Sequence, residues 1–240
     1  MNIALIFSGG TGQRMNTKTM PKQFLELHGK PIIIYTLEVF EYTEEIDGII
    51  VVCLDGWQNY LQNLLQRFGI RKVQSIVSGG KTGQESIANG IAKVSEDYPE
   101  DTVVLIHDGV RPLIDKETIQ ACITTTKKEG SAITVAPVTE TVAVADENGK
   151  MIKTIVERKN CYTAKAPQSF YLKDLIIAER KAKEEGILDF IDTATMMNHY
   201  GYPLHIVQGS SQNIKITNPT DFYIFRAIED AIENSQIFGL

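Results

Sequence analysis

The first residues able to do chemistry form the run Ser8-Gly9-Gly10-Thr11-Gly12-Gln13-Arg14-Met15. Its three glycines let the backbone turn tightly and present N–H groups to an anion without interference from Cβ atoms. Arg14 and Lys22 follow at short range, so the segment offers amides plus two cations, a combination suited to a triphosphate. No Gly-Lys-Ser/Thr closes the run, so it is not a Walker A loop, and it does not match the G-x-G-x-x-G dinucleotide fingerprint. The competing reading is an ordinary turn between a strand and a helix, because glycine marks turns generally. The next stretch, Met20-Pro21-Lys22-Gln23-Phe24-Leu25, weighs against it. Pro21 blocks a helix at this point and fixes Lys22 just beyond the loop, within reach of phosphate oxygens.

A second constellation is His107-Asp108-Gly109-Val110-Arg111-Pro112, placed where a buried apolar run ends. Open α/β sheets bind ligands at the carboxyl ends of their strands. A carboxylate there can hold Mg2+, which takes one or two carboxylates together with phosphate oxygens. Asp108 is therefore the candidate metal ligand, against the alternative of a turn or helix-capping carboxylate. Arg111 lies three residues on and could meet an acceptor phosphate or pyrophosphate. His107 reads as structural. A further glycine-rich turn, Ser78-Gly79-Gly80-Lys81-Thr82-Gly83-Gln84-Glu85-Ser86, again joins a strand to a helix.

These groups need a scaffold to bring them together. Apolar, β-branched runs at 3–7, 49–53, 73–77, 103–107 and 132–138 suit strands buried on both faces. Helical periods at 31–42, 57–68, 83–94 and 116–129 alternate with them; in the second, Trp57, Leu61, Leu64, Leu65 and Phe68 share one face. The alternation predicts a Rossmann-like α/β fold, a mostly parallel sheet with helices on both faces. After Val138 the pattern becomes two short alternating strands around Asn148-Gly149, the signature of a hairpin arm at about 139–159. Helices at 172–185 and 193–200, a strand at 204–207 and a helix after Pro219 complete one domain over residues 1–240.

The 240 residues are 43% hydrophobic and 22% charged, ordinary for a globular chain. A net charge of −6 argues against a broad nucleic-acid footprint, which needs a basic face. It leaves room for a nucleotide, whose site needs a few local cations. The three cysteines, Cys53, Cys122 and Cys161, are widely spaced, which disfavours disulfide or zinc frameworks. With no signal peptide and no run long enough to span a membrane, a cytoplasmic protein is expected.

The motifs S-G-G-T-G-Q-R-M and P-K-Q-F resemble the nucleotide-binding signature of the sugar- and polyol-phosphate cytidylyltransferases. H-D-x-x-R-P resembles the same family, as does N-I-K-I-T at 213–217 with Asp221. The likeness runs from residue 3 to about 228, with the motifs in the family's order. It implies transfer of CMP from CTP to a small phosphorylated polyol, with Mg2+ as cofactor. Ser8, Gly9, Gly10, Thr11 and Gly12 would then wrap the CTP phosphates, while Arg14, Lys22 and Lys215 would stabilise the reacting α-phosphate. Asp108 would hold the metal, and Gly80 and Ser86 would contact cytosine. Arg111, Thr141, Arg158 and Asp192 would bind the acceptor, and the arm would embrace a partner subunit in a homodimer. The sequence departs from the family at Gly83, where an arginine is usual, and at Ala166 and Ile191, where hydroxyl residues are usual. Two branches compete for the acceptor: ribitol 5-phosphate, a wall or capsule precursor, which is favoured, and 2-C-methyl-D-erythritol 4-phosphate of isoprenoid supply. A nucleotide-binding module without catalysis is the alternative of another class. A nicotinamide dehydrogenase is disfavoured by the missing dinucleotide glycines.

Overall fold

The computed structural model describes residues 1–10 and 20–238. Seven strands form the central sheet in the order β11-β7-β10-β6-β1-β4-β5. They are β1 (Asn2–Ser8), β4 (Gly48–Cys53), β5 (Val73–Ser78), β6 (Val103–Asp108), β7 (Ser131–Pro137), β10 (Tyr162–Tyr171) and β11 (Ile206–Gln208). β1 runs parallel to β4 and β6, with Phe7 opposite Asp108. The strands expected at the five β-branched runs lie within one residue of their predicted ends, because a run buried on both faces needs β-branched residues throughout. The strand expected at 204–207 is β11, which starts two residues later.

Helices cover both faces. α1 (Ile32–Glu41), α2 (Gln58–Phe68) and α4 (Lys116–Glu129) lie on one side, where Ile33, Leu37, Leu61 and Ile119 pack on Ala4 and Ile6. α3 (Gly83–Asp97), α5 (Leu172–Glu185) and α6 (Thr193–His199) lie on the other, where Ile87, Ile91, Leu175 and Met196 pack on Ile3 and Leu5. The alternating side chains of β1 thus feed two cores, and each fully buried aliphatic chain contributes about 1.5–3 kcal/mol. Helix ends follow local chemistry. Asp115 accepts from the Thr118 amide at 2.7 Å to start α4, and Gly130 ends it at φ 91°. α7 (Pro219–Phe238) starts at a reciprocal cap in which Asn218 Oδ1 accepts from the Asp221 amide. Asp221 Oδ2 accepts in return from the Thr217 and Asn218 amides.

Three features differ from the sequence expectation. The chain returns from the arm as a ten-residue strand, β10, inserted antiparallel between β6 and β7. Pro167 hides it in the sequence, since proline argues against a central strand. A register shift between Ala164 and Gln168 accommodates that proline. Pro21 was expected to block a helix, yet a single 3-10 turn follows it at Lys22–Phe24. Proline is well suited to precede such a turn, because its fixed φ is already helix-like and the turn asks nothing of its missing N–H. A small hairpin, β2 (Glu26–Leu27) and β3 (Lys30–Pro31), then turns through His28 and Gly29, both at positive φ. The arm is a separate two-stranded sheet, β8 (Ala143–Ala145) with β9 (Ile152–Ile155), and Gly149 at φ 67° makes its turn. Among the described residues, no helix is long and apolar enough to cross a membrane.

α3 approaches the sheet closely at Gly90, where a Cβ would lie 2.5 Å from Leu5 Cδ1 and 2.8 Å from Val52 Cγ2. Gly90→Val should therefore cost about 1–3 kcal/mol in urea unfolding by overpacking, despite valine's better helix propensity. An unchanged midpoint would contradict this packing.

Candidate active site

The site lies outside the carboxyl ends of β1 and β6, where the strand order reverses: the chain goes from β1 to β4 and β5 on one side, then to β6 on the other. Such a switch point leaves a crevice between diverging loops. Ser8 ends β1 and Gly9 follows at its carboxyl end. Ser8 Oγ donates to the Val52 carbonyl at 3.1 Å, and the Ser8 carbonyl accepts from Gln23 Nε2 at 2.6 Å. The buried Gln23 thereby returns the P-K-Q-F turn to the strand end from which the glycine run departs. The second glycine turn packs against the first. A Cβ on Gly9 would stand 3.1 Å from Ser86 Oγ and 3.7 Å from Gly79 Cα, so glycine permits the approach. Ser86 Oγ accepts from the Gly80 amide and donates to the Thr82 carbonyl, both at 2.9 Å. Thr82 caps α3 by accepting from the Glu85 amide.

Asp108 ends β6 and is buried. Its Oδ1 meets Lys215 Nζ at 2.6 Å and its Oδ2 meets Arg111 Nε at 2.7 Å. Burial would raise its pKa, but the Lys215 and Arg111 charges outweigh burial and hold it down at about 2. Arg111 Nη1 also donates to the Asn213 carbonyl at 3.0 Å. Lys22 Nζ donates to the Ile216 carbonyl at 2.9 Å, next in sequence to Lys215. Residues 213–217 thus pass between the P-K-Q-F turn and the end of β6, and the Ile216 amide bonds to the Val110 carbonyl to fix the crossing. Lys22 and Lys215, 193 positions apart in the chain, lie on the same side of the molecule.

A cavity of about 330 Å3 opens here, lined by Asp108, Arg111, Lys215, Lys165, Gln168 and Asp192 among others. Asp192 faces it but is also engaged structurally. Its Oδ1 caps α6 through the Thr195 amide at 2.8 Å, and its Oδ2 accepts from Gln168 Nε2 at 2.8 Å. Gln168 Oε1 accepts from the Ala194 amide, locking α6 to β10. His107 is buried beside Phe40, and its Nε2 lies 3.3 Å from the Arg111 carbonyl. Burial pushes its pKa down to about 4, which makes it a neutral packing residue.

The structure brings together Ser8, Gly9, Lys22, Asp108, Arg111, Asp192 and Lys215 with the Gly80–Ser86 turn. Thr11, Gly12 and Arg14 lie outside the described residues. Gly10 is described, and a Cβ there would meet nothing within 4 Å. Thr141 and Arg158 do not line this cavity; they lie at the root of the arm, where Arg158 Nη1 donates to the Thr139 carbonyl at 2.9 Å. Lys165, Gln168, Gln23 and Asn213 were not singled out from the sequence. Lys165 lies in a stretch that does not read as a strand. Gln23 and Asn213 fall within the P-K-Q-F and N-I-K-I-T motifs, but buried amides that position backbone, Gln168 among them, leave no periodic signal. Asn213 is an example, with its Nδ2 bonded to the Ala166 carbonyl.

Glycine turns and converging cations at the switch point of a Rossmann-like sheet are the arrangement a nucleotidyltransferase would use. The model of the 2-C-methyl-D-erythritol 4-phosphate cytidylyltransferase (IspD) family matches residues 2–230, and the chain belongs to that cytidylyltransferase family. It is 51% identical, over the whole of both chains, to a ribitol-5-phosphate cytidylyltransferase of Streptococcus agalactiae, and 52% identical to one of Vibrio parahaemolyticus over 239 residues, again the full length of both. A 2-C-methyl-D-erythritol 4-phosphate cytidylyltransferase of Geobacillus kaustophilus is 34% identical, covering 94% of this chain and 95% of that one. Among solved structures, the 4-diphosphocytidyl-2C-methyl-D-erythritol synthase of Anaerococcus prevotii shares the fold at a TM-score of 0.81 and 24% identity, covering 95% of this chain and 96% of that one.

His107 gives the site a pH signature. Its folded pKa, about 4, lies below its ordinary 6.5, so the unfolded chain takes up the proton first as pH falls. Its contribution to stability is whole above 6.5 and is lost on the way down to about 4. Relative to His107→Gln, the natural protein should lose on the order of 3 kcal/mol of unfolding free energy between pH 7 and 4. Parallel pH profiles for the two proteins would contradict a neutral buried imidazole.

Proposed function

We propose that this chain transfers CMP from CTP to ribitol 5-phosphate, forming CDP-ribitol and releasing pyrophosphate. The observation that carries the reading is the convergence of Lys22, Lys215 and Arg111 on one crevice beside the Gly9 and Gly80 turns. The identity of 51% over the whole chain to a protein named for ribitol 5-phosphate supports the acceptor, against 34% to one named for 2-C-methyl-D-erythritol 4-phosphate.

The acceptor's phosphate monoester is largely dianionic near neutral pH, its second pKa being about 6, so no base is needed to make it a nucleophile. One of its oxygens forms the new bond to the α-phosphorus while the bond between α-phosphorus and the bridging oxygen to the β-phosphate breaks. Pyrophosphate leaves with the electron pair. Chemistry of this kind depends on positioning and on neutralising charge. Lys22 and Lys215 supply ammonium charge at the α-phosphate, and Arg14 adds a guanidinium from the glycine run. Gly80 and Ser86 face the base.

Asp108 is the residue to hold Mg2+. Among the described residues, no three acidic, histidine or cysteine side chains cluster as a metal site. One carboxylate fits an ion that takes its other ligands from phosphate oxygens and water, as Mg2+ commonly does. When bound, the ion would neutralise charge on the triphosphate. Both oxygens of Asp108 now meet Lys215 and Arg111, so the ion would take the place of one of these cations on the carboxylate and release it toward the phosphates.

The arm exposes Val144, Met151, Ile152 and Ile155, apolar surface that a two-stranded ribbon cannot cover by itself. A homodimer in which the arm brings Thr141 and Arg158 to a partner's acceptor pocket accounts for that surface and for their distance from the cavity of their own chain. A cytoplasmic setting agrees with Cys53, Cys122 and Cys161, which are free thiols.

Purified protein with CTP and Mg2+ should release pyrophosphate with ribitol 5-phosphate and at least tenfold more slowly with 2-C-methyl-D-erythritol 4-phosphate. Lys22→Ala should lower turnover by about 10²–10³-fold, the scale of losing one preorganised charge-stabilising group. The reverse acceptor preference, or a near-normal rate in the variant, would contradict the reading.

A further inference from the structure

We propose that Lys165 binds the acceptor's phosphate and is a specificity-determining residue of the acceptor pocket. The inference rests on the transfer reading above and adds a residue to it. Lys165 belongs to β10, in the stretch where pairing with β7 shifts register between Ala164 and Gln168. A bulge interrupts the strict alternation of side chains and re-aims them. Here Ala164, Lys165, Ala166 and Gln168 all line the same cavity as Arg111 and Lys215.

Among the described residues, backbone oxygens alone hold the ammonium. Lys165 Nζ donates to the Asn213 carbonyl at 3.1 Å and to the Ser211 carbonyl at 3.3 Å. The Asn213 carbonyl also accepts from Arg111 Nη1, so one oxygen gathers two cations. Both oxygens of Asp108 are engaged by Arg111 and Lys215, and no carboxylate pairs with Lys165 among the described residues. Burial and the nearby Arg111 charge both lower the Lys165 pKa, the mark of a cation without a counter-ion. An anion entering the cavity would supply that counter-ion.

Position decides which anion. The triphosphate end of the crevice is marked by Gly9, Lys22 and the Gly80 turn. Lys165 stands on the other side of β6, on β10, beside Ala166 and Ile191. Neither of those side chains offers a polar group, and the neighbouring Asp192 carboxylate is taken up by the α6 cap and Gln168, so Lys165 is the cation available on that wall. A phosphate monoester held there is brought up to the α-phosphorus with its negative charge shared between Lys165 and Arg111, and a neutral polyol gains nothing from the contact.

Lys165→Met keeps the stem and removes the charge; Lys165→Arg keeps the charge. In steady-state pyrophosphate release, Lys165→Met should raise the KM for ribitol 5-phosphate at least tenfold while the KM for CTP stays within about twofold, and Lys165→Arg should recover most of the loss. A merely structural role, acting through residues 211–213 and hence Lys215, would raise both KM values together. Equal changes in both, or none in either, would overturn the proposal, as would failure of Lys165→Arg to rescue. If the natural protein turns over neither acceptor, the transfer reading fails. Calorimetric titration of inorganic phosphate into the folded natural protein and Lys165→Met, each saturated with CTP, then decides Lys165 separately. Binding weakened at least tenfold by the substitution supports the site, and equal binding or none refutes it.

Discussion

Asp108 is 5% exposed and lies between two cations, one from its own turn and one from a segment more than a hundred residues later. A carboxylate buried without partners would cost several kcal/mol, and removing one partner of a buried pair is strongly destabilising. The folded chain therefore has a strong reason to bring residues 213–217 to the end of β6. Once that segment is there, the Ile216 carbonyl receives Lys22 and the Asn213 carbonyl receives Arg111 and Lys165. A single acidic side chain thus organises four basic ones, and the positive charge collected around it is what a phosphate-transferring site requires.

The backbone contributes as much as the charges. The glycines at 9 and 79 let two turns from different strands touch, and Gly80 leaves room for the Glu85 side chain of its own turn. Gln23 and Gln168 do comparable work on either side. Each is buried and each bonds to backbone, fixing the P-K-Q-F turn against β1 and α6 against β10. The adjoining groups are consequently set before a ligand arrives, which lowers the ordering cost of binding and of reaction.

Much of this was readable from residue types. The buried parallel strands announced themselves through β-branched runs, and Asp108 through its place at the end of one. Lys22 and Lys215 were recognisable by motif, but their proximity came from a chain crossing that no local pattern encodes. β10 was hidden because Ala164, Lys165, Ala166 and Pro167 look unlike a central strand, and the bulge that admits them also turns Lys165 into the cavity. Asp192 shows the opposite difficulty: its sequence context suggested acceptor binding, while its carboxylate also caps α6 and anchors Gln168.

Binding of one triphosphate by side chains from both ends of the chain is the central claim, and a crystal structure with CTP and Mg2+ tests it most directly. The account predicts the α-phosphate within hydrogen-bonding distance of both Lys22 and Lys215, with cytosine against the Gly80–Ser86 turn. A nucleotide whose phosphates lie away from Lys215, or whose base occupies the wall formed by Lys165 and Ala166, would contradict it.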